Sequence, residues 1–180
     1  MTVYIGFLRG INVGGNKKIS MAELKRMLET MGLGRVQTVL QTGNMLFESG
    51  EEAETLRLLI QREIQAVFGL SVAVMLRTAT ELARIIRDCP FAPDALSAGE
   101  TIQISVLSEP ISQKSAELLA NVDSGDDEFR ICGTEIYFLF RQSILDSPLG
   151  KQLQKLGSTT TTRNWNTIVK LDALAKKLEA

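Results

Sequence analysis

Between Arg9 and Lys18 the chain reads Arg-Gly-Ile-Asn-Val-Gly-Gly-Asn-Lys-Lys. Three cations (Arg9, Lys17, Lys18) and two carboxamides (Asn12, Asn16) thus fall within ten residues, and no carboxylate occurs before Glu23. Glycines let successive backbone N–H groups turn toward an anion, so the chemistry on offer is recognition of a phosphate or carboxylate. Gly10 and Gly15 have the G-x-x-x-x-G spacing of a phosphate-binding loop, but that motif needs Lys and then Ser or Thr next, and here Asn16-Lys17-Lys18 follows. The next helix is expected to start near Ser20, too late for its N-terminus and the loop N–H groups to converge on one phosphate. A nucleoside triphosphate loop is therefore excluded, and the dinucleotide fingerprint G-x-G-x-x-G is not matched. The plainer reading stands beside the ligand reading: a tight turn that uses glycine for positive φ, with lysines in solvent.

Two further stretches carry polar groups in suggestive places. Gln41-Thr42-Gly43-Asn44 suits a hairpin turn, because Gly and Asn tolerate positive φ. Gln41 then sits at a strand end, where its amide can point into a site. Thr162-Arg163-Asn164-Trp165-Asn166-Thr167 is expected at a helix N-terminus, with Thr162 or Asn164 as the cap. A cation there opposes the helix dipole, so Arg163 is expected to face a carboxylate or a bound anion. Residues 1–22 and 147–171 contain no Asp or Glu, whereas acids gather at Asp123, Asp126, Asp127 and Glu128. The expectation is that Arg9, Asn12, Asn16, Lys17, Lys18, Gln41, Asn44 and Arg163-Asn164-Trp165-Asn166 line a basic, amide-rich cleft between two halves and bind a small anion.

The absence of histidine removes Ser-His and Cys-His nucleophile pairs and the HExxH zinc site. No metal site and no cofactor is expected. Asp123-Ser-Gly-Asp126-Asp127 lacks the alternation and terminal Glu of a calcium loop and reads as a solvated turn. Cys89 and Cys132 stand in no motif and read as buried free thiols. Tyr137, Phe138 and Phe140 lie on one strand, but the aromatic pattern of RNA-binding sheets is missing, so they read as core.

These groups need elements to hold them. Val3–Leu8 reads as a strand. Ser20-Met-Ala-Glu23 is a capping box opening a helix with Leu24, Leu28 and Met31 on one face and Gly32 as its stop. Val36–Leu40 and Met45–Phe47 form a hairpin, and Glu52–Phe68 a helix with Leu56, Ile60, Ile64 and Val67 in register. Leu70–Leu76 is a strand, and Thr78-Ala-Thr-Glu81 caps the next helix. Residues 88–99 have a linker composition. The second pass is expected to bring a strand at Thr101–Leu107, a helix at Ile111–Asn121, and a hairpin of Glu128–Ile131 with Glu135–Phe140. It continues with a helix from Ser147-Pro148 to Gly157, a strand in Thr159–Thr162, and a helix at Asn164–Leu178.

This order is β-α-β-β-α-β-α twice. It predicts an α+β protein of two tandem ferredoxin-like (split β-α-β) halves with antiparallel sheets, each with a trailing helix: residues 1–88, a linker at 89–100, and residues 101–180. Leu8-Arg-Gly-Ile-Asn-Val-Gly-Gly-Asn16, Gln41-Thr-Gly-Asn44 and Thr162-Arg-Asn-Trp-Asn-Thr167, in that order, resemble the bacterial family called domain of unknown function 1697. The resemblance implies a duplicated ferredoxin-like fold and brings no activity with it.

A chain of 180 residues, 44% hydrophobic and 23% charged, with net charge −1, can bury a sound core. The charge balance disfavours loose binding to nucleic acid or to an anionic membrane. No signal-peptide pattern and no membrane-length apolar run is present, and a cytoplasmic location is expected. Three functions stay open: binding or turnover of a small anionic ligand, single-stranded nucleic-acid binding, and a protein-interaction scaffold.

Overall fold

The computed structural model describes residues 1–180, apart from the side chain of Ser158. Strand β1 (Thr2–Leu8) leads through an irregular loop to helix α1 (Met21–Thr30), followed by β2 (Gly34–Val39), β3 (Asn44–Ser49), α2 (Ala53–Phe68), β4 (Val74–Thr78) and α3 (Ala79–Arg87). The same order then recurs as β5 (Thr101–Leu107), α4 (Gln113–Ala120), β6 (Glu128–Cys132), β7 (Glu135–Phe140), α5 (Pro148–Gln154), β8 (Thr160–Asn164) and α6 (Trp165–Glu179). The fold is mixed α+β, with two four-stranded antiparallel sheets and, among the described residues, six α-helices. Strand orders are β2-β3-β1-β4 and β6-β7-β5-β8. Two compact units result, residues 1–84 with 169–180, and residues 85–168.

In the first unit, alternation along β1 sends Tyr4 and Leu8 to the face covered by α1 and α2. There they join Met45, Phe47 and Leu76 of the sheet and Leu24, Leu28, Leu56, Ile60 and Ile64 of the helices. The other face of the sheet is buried too: Ile5, Phe7, Leu46 and Met75 are fully inaccessible. In the second unit, Leu107, Ile136, Phe138 and Phe140 face Leu119 of α4 and Leu149 and Leu153 of α5. Ile102, Ile104 and Tyr137 are buried on the opposite side.

Local signals act largely as the residues imply. Ser20, Ser112 and Ser147 each accept a backbone N–H from three residues ahead, at Glu23, Ser115 and Gly150. Thr78 and Glu81 make a reciprocal capping box: the Glu81 N–H donates to the Thr78 hydroxyl (3.1 Å) and the Thr78 N–H to the Glu81 carboxylate (2.8 Å). The threonine run forms strand β8, paired with β5.

Four details differ from the sequence reading. β4 begins at Val74, not Leu70, because β1 turns away after Leu8 and leaves residues 70–72 no strand to pair with. Val67 is 53% exposed, since the stripe Leu56-Ile60-Ile64 continues at four-residue spacing to Phe68 instead. α5 stops at Gln154, ahead of Gly157. Neither cysteine is buried: Cys89 is half-buried and Cys132, at the end of β6, is exposed.

Candidate functional site

The loop from Arg9 to Ile19 is built by its own side chains. β1 ends with the Leu8 N–H donating to the Gly43 carbonyl (2.8 Å) and the Arg9 N–H to that of Ala73 (3.0 Å). Gly10 then takes a positive φ, and Ile11 turns inward until it is 1% exposed. Ile11 packs where the 41–44 turn comes close: a Cβ on Gly43 would lie 2.7 Å from Ile11 Cδ1 and 2.9 Å from Leu8 Cβ, and Gly43 itself has φ 88°. Glycine is therefore required there twice over, by conformation and by space.

Asn12 holds the loop shut. Its φ is 57°, a region asparagine tolerates. Its Nδ2 donates to the carbonyls of Ile19 (3.0 Å) and Gln41 (2.7 Å), and its Oδ1 accepts the Ile19 N–H (2.9 Å). Beyond it, Gly14 and Gly15 both have positive φ, and the Asn16 N–H closes a tight turn onto the Val13 carbonyl (3.0 Å). Lys17 also has positive φ, and its Nζ donates to the Ser71 carbonyl (2.8 Å). Ile19, just before the Ser20 cap, is buried in one cluster with Leu24 and fastens the end of the loop to α1.

Asn44 is wholly buried, with its Nδ2 donating to the Val39 carbonyl (2.9 Å) and the Thr42 hydroxyl (3.0 Å). Asn12 and Asn44 thus spend their amides on the loop and the hairpin. Arg9 is half-buried, and burial lowers its pKa without removing its charge. Asn16, Lys17, Lys18 and Gln41 are exposed.

An open depression of about 440 Å³ lies where loop and turn meet, lined by Asn12, Gly15, Lys18, Ile19, Ser20 and Gln41. Its charged lining residue is Lys18, Gln41 lines it from the 41–44 turn, and α1 begins one residue past Ser20. No carboxylate, thiol or phenol is among these lining residues, so with the Lys18 ammonium beside neutral polar groups the arrangement can hold an anion. Residues 9–18 and Gln41 supplied the sequence signal for it; Ser20 was legible only as a capping position, and Ile19 carried no signal.

In the second unit, Arg163 lies on β8 opposite Ile104 and not in a helix, so the helix-dipole argument for a facing anion lapses. It is 8% exposed, donates to the Thr161 hydroxyl (2.8 Å) and the Thr162 carbonyl (3.0 Å), and burial lowers its pKa to about 10. Asn164 caps α6 by accepting the Thr167 N–H (2.8 Å). Trp165 is half-buried and Asn166 exposed.

Sequence reasoning missed Arg77, which occupies the matching register in the first unit. It lies on β4 opposite Ile5, is 8% exposed, and donates to the carbonyl of the residue before it. The signal was an arginine followed by a capping residue at the junction of last strand and trailing helix, Arg77-Thr78 and Arg163-Asn164. Tyr137, Phe138 and Phe140 are buried and offer no base-stacking face.

Among the described residues no group of three or more His, Cys, Asp or Glu is placed to hold a metal ion, and no helix is long and apolar enough to cross a membrane. No curated protein sequence matches the chain. Among solved structures it is similar to a conserved bacterial protein, SP0830, from Streptococcus pneumoniae. The TM-score is 0.81 at 23% identity, over 98% of this chain and 99% of that one, a likeness of fold. A family model described as "Protein of unknown function (DUF1697)" matches residues 1–137, which include the Arg9–Lys18 loop and the 41–44 turn and stop short of Arg163. The resemblance carried by those motifs is therefore one of membership: the chain belongs to this family of unknown function.

Proposed function

We propose that the protein binds a small phosphate- or carboxylate-bearing ligand on its first unit, in the depression between the 9–19 loop and the 41–44 turn. One observation carries this reading. The loop backbone is fixed by buried Ile11 and by the three hydrogen bonds of Asn12, and with the exposed Lys18 of the loop and Gln41 of the turn it lines an open concavity that has no carboxylate in its lining. A fixed loop backbone under these side chains lowers the ordering cost of capturing an anion. In this reading the two units are duplicated ferredoxin-like halves, each supported by its own strand order and element sequence. They differ at one joint: the second unit connects β5 to α4 by a short segment carrying Glu109 where the first has the long basic loop.

The test is calorimetric titration with orthophosphate, nucleoside monophosphates, sugar phosphates, short carboxylates and single-stranded RNA. Saturable binding of one of the small anions is expected, lost in Lys18→Ala and weakened in Gln41→Ala while both variants melt like the parent. A ligand at 100 times its Kd adds roughly 2.7 kcal/mol, which for a chain of this size raises Tm by about 5–10 °C. Binding of RNA alone would replace this reading with a nucleic-acid module. No binding and no shift with any of them would leave the interaction scaffold.

A further inference from the structure

The chain has two cysteines, 43 positions apart in sequence, and the second unit brings both to one side of one sheet. The segment that carries Cys89 is pinned to that side at two points. Before it, the Tyr137 hydroxyl on β7 donates to the carbonyl of Ile85 (2.7 Å), one helical turn ahead of Cys89. After it, the ring of Phe91 lies under the guanidinium of Arg130 on β6, 5.8 Å from its centroid. Arg130 and Tyr137 are directly paired across the β6–β7 ladder, so both anchors stand on one face. Cys132 is two residues beyond Arg130 on the same strand, and period-two alternation puts it on that face as well. Cys89 therefore lies on the stretch between two anchors that stand on the face carrying Cys132. It lies past the end of α3 and outside any regular element, so its backbone can adjust to disulfide geometry.

We propose that Cys89 and Cys132 are a reversible dithiol–disulfide pair that fastens the segment after α3 to the end of β6. The chemistry is thiol–disulfide exchange with a low-molecular-weight disulfide such as oxidised glutathione. The exposed Cys132 thiolate attacks one sulfur of the oxidant, forming a mixed disulfide and releasing one glutathione thiolate. The Cys89 thiolate then attacks Cys132 Sγ, the internal S–S bond forms, and the second glutathione leaves. The two protons from the cysteines end on the two released thiols, and the two electrons lost by the pair reduce the oxidant. Accessibility sets the order, since Cys132 is exposed and Cys89 half-buried. Burial pushes the Cys89 thiol up, a backbone hydrogen bond at Phe91 opposes this, and the charge of Cys132 adds to the rise.

The experiment treats the reduced protein with oxidised glutathione, in buffer and in urea, and follows it by maleimide counting of free thiols and non-reducing peptide mass mapping. In buffer the expected result is loss of both thiols, a single Cys89–Cys132 linked peptide in a monomer, full reversal by dithiothreitol, and a slower reaction in urea. Cys89→Ser is expected to stop with one glutathione on Cys132, and Cys132→Ser to keep Cys89 largely free; melting curves of both reduced variants establish that they fold. Persistent glutathione adducts on both cysteines, disulfides only between chains, free thiols throughout, or a linkage that forms no faster in buffer than in urea would each overturn the proposal.

Discussion

Asn12 shows how a residue chosen for its chemistry turns out to serve geometry. Its carboxamide makes three hydrogen bonds to main-chain atoms of Ile19 and Gln41, on a backbone with φ 57°. Asn12→Ala removes all three and keeps a Cβ in the left-handed region, so urea denaturation is expected to show a loss of about 3–4 kcal/mol. Asn12→Gly loses the same bonds without the steric cost and should recover about 1 kcal/mol of it. Equal losses in the two variants would mean that the positive φ is not strained. What the sequence showed here was the density of polar side chains between Arg9 and Lys18. Which of them point outward depends on Ile11 and Gly43, thirty-two positions apart, and no local pattern reports that contact. The same holds for Asn44, which reads as an exposed turn residue until its burial in the hairpin is seen.

At the scale of elements, local signals located nearly every helix start, because capping is a matter of three or four adjacent residues. Strand limits were less legible, since pairing decides them, as β4 shows by starting only where β1 can meet it. Asp127 is the clearest case of a role set by assembly. In sequence it belongs to an acidic turn. In the fold it is 5% exposed and ties three pieces together, accepting from the Arg141 N–H after β7 (2.7 Å), the Gln142 amide (3.0 Å) and the Ser147 hydroxyl that caps α5 (2.6 Å). Burial alone would raise its pKa, but the hydrogen bonds from Arg141, Ser147 and Gln142, with the charge of Arg141, outweigh it and the net shift is downward. A carboxyl group whose folded pKa lies below its unfolded one adds stability that is present above the unfolded value, near 3.9, and is lost as pH falls through the folded value. Asp127→Asn is expected to cost about 2–3 kcal/mol at neutral pH, because an amide nitrogen would face donors. The difference between parent and variant should shrink below about pH 4. Chemical denaturation of both proteins at pH 7 and pH 3 checks this, and a difference that does not change with pH would show that the carboxylate charge has no part in joining these elements.

For the whole molecule, duplication makes each unit a control for the other. Both have the same strand order, a buried arginine in the same register on the last strand, and a capped helix after it, so those features belong to the architecture. The long β1–α1 loop occurs in the first unit alone, and it carries Arg9, Lys17 and Lys18 with no acid. The whole chain has net charge −1 and pI ≈ 5.6, so attraction for a polyanion must come from its acid-free stretches, and the 9–18 loop is the one that borders the depression. The locus holds Arg9, Lys17 and Lys18, with Arg9 half-buried and Lys17 donating to the Ser71 carbonyl. Three cations released against a single strand would give a slope of log K against log salt of about −2 at most, at roughly −0.7 per phosphate. A small anion held chiefly by Lys18 and neutral amides should give a slope nearer −1. Repeating the titrations between 50 and 300 mM salt distinguishes the two, and a slope steeper than about −2 with RNA would require a basic surface beyond this loop. The expected outcome is the shallow one, because Lys18 is the charged residue in the lining and hydrogen bonds from a neutral amide such as Gln41 release no counterions.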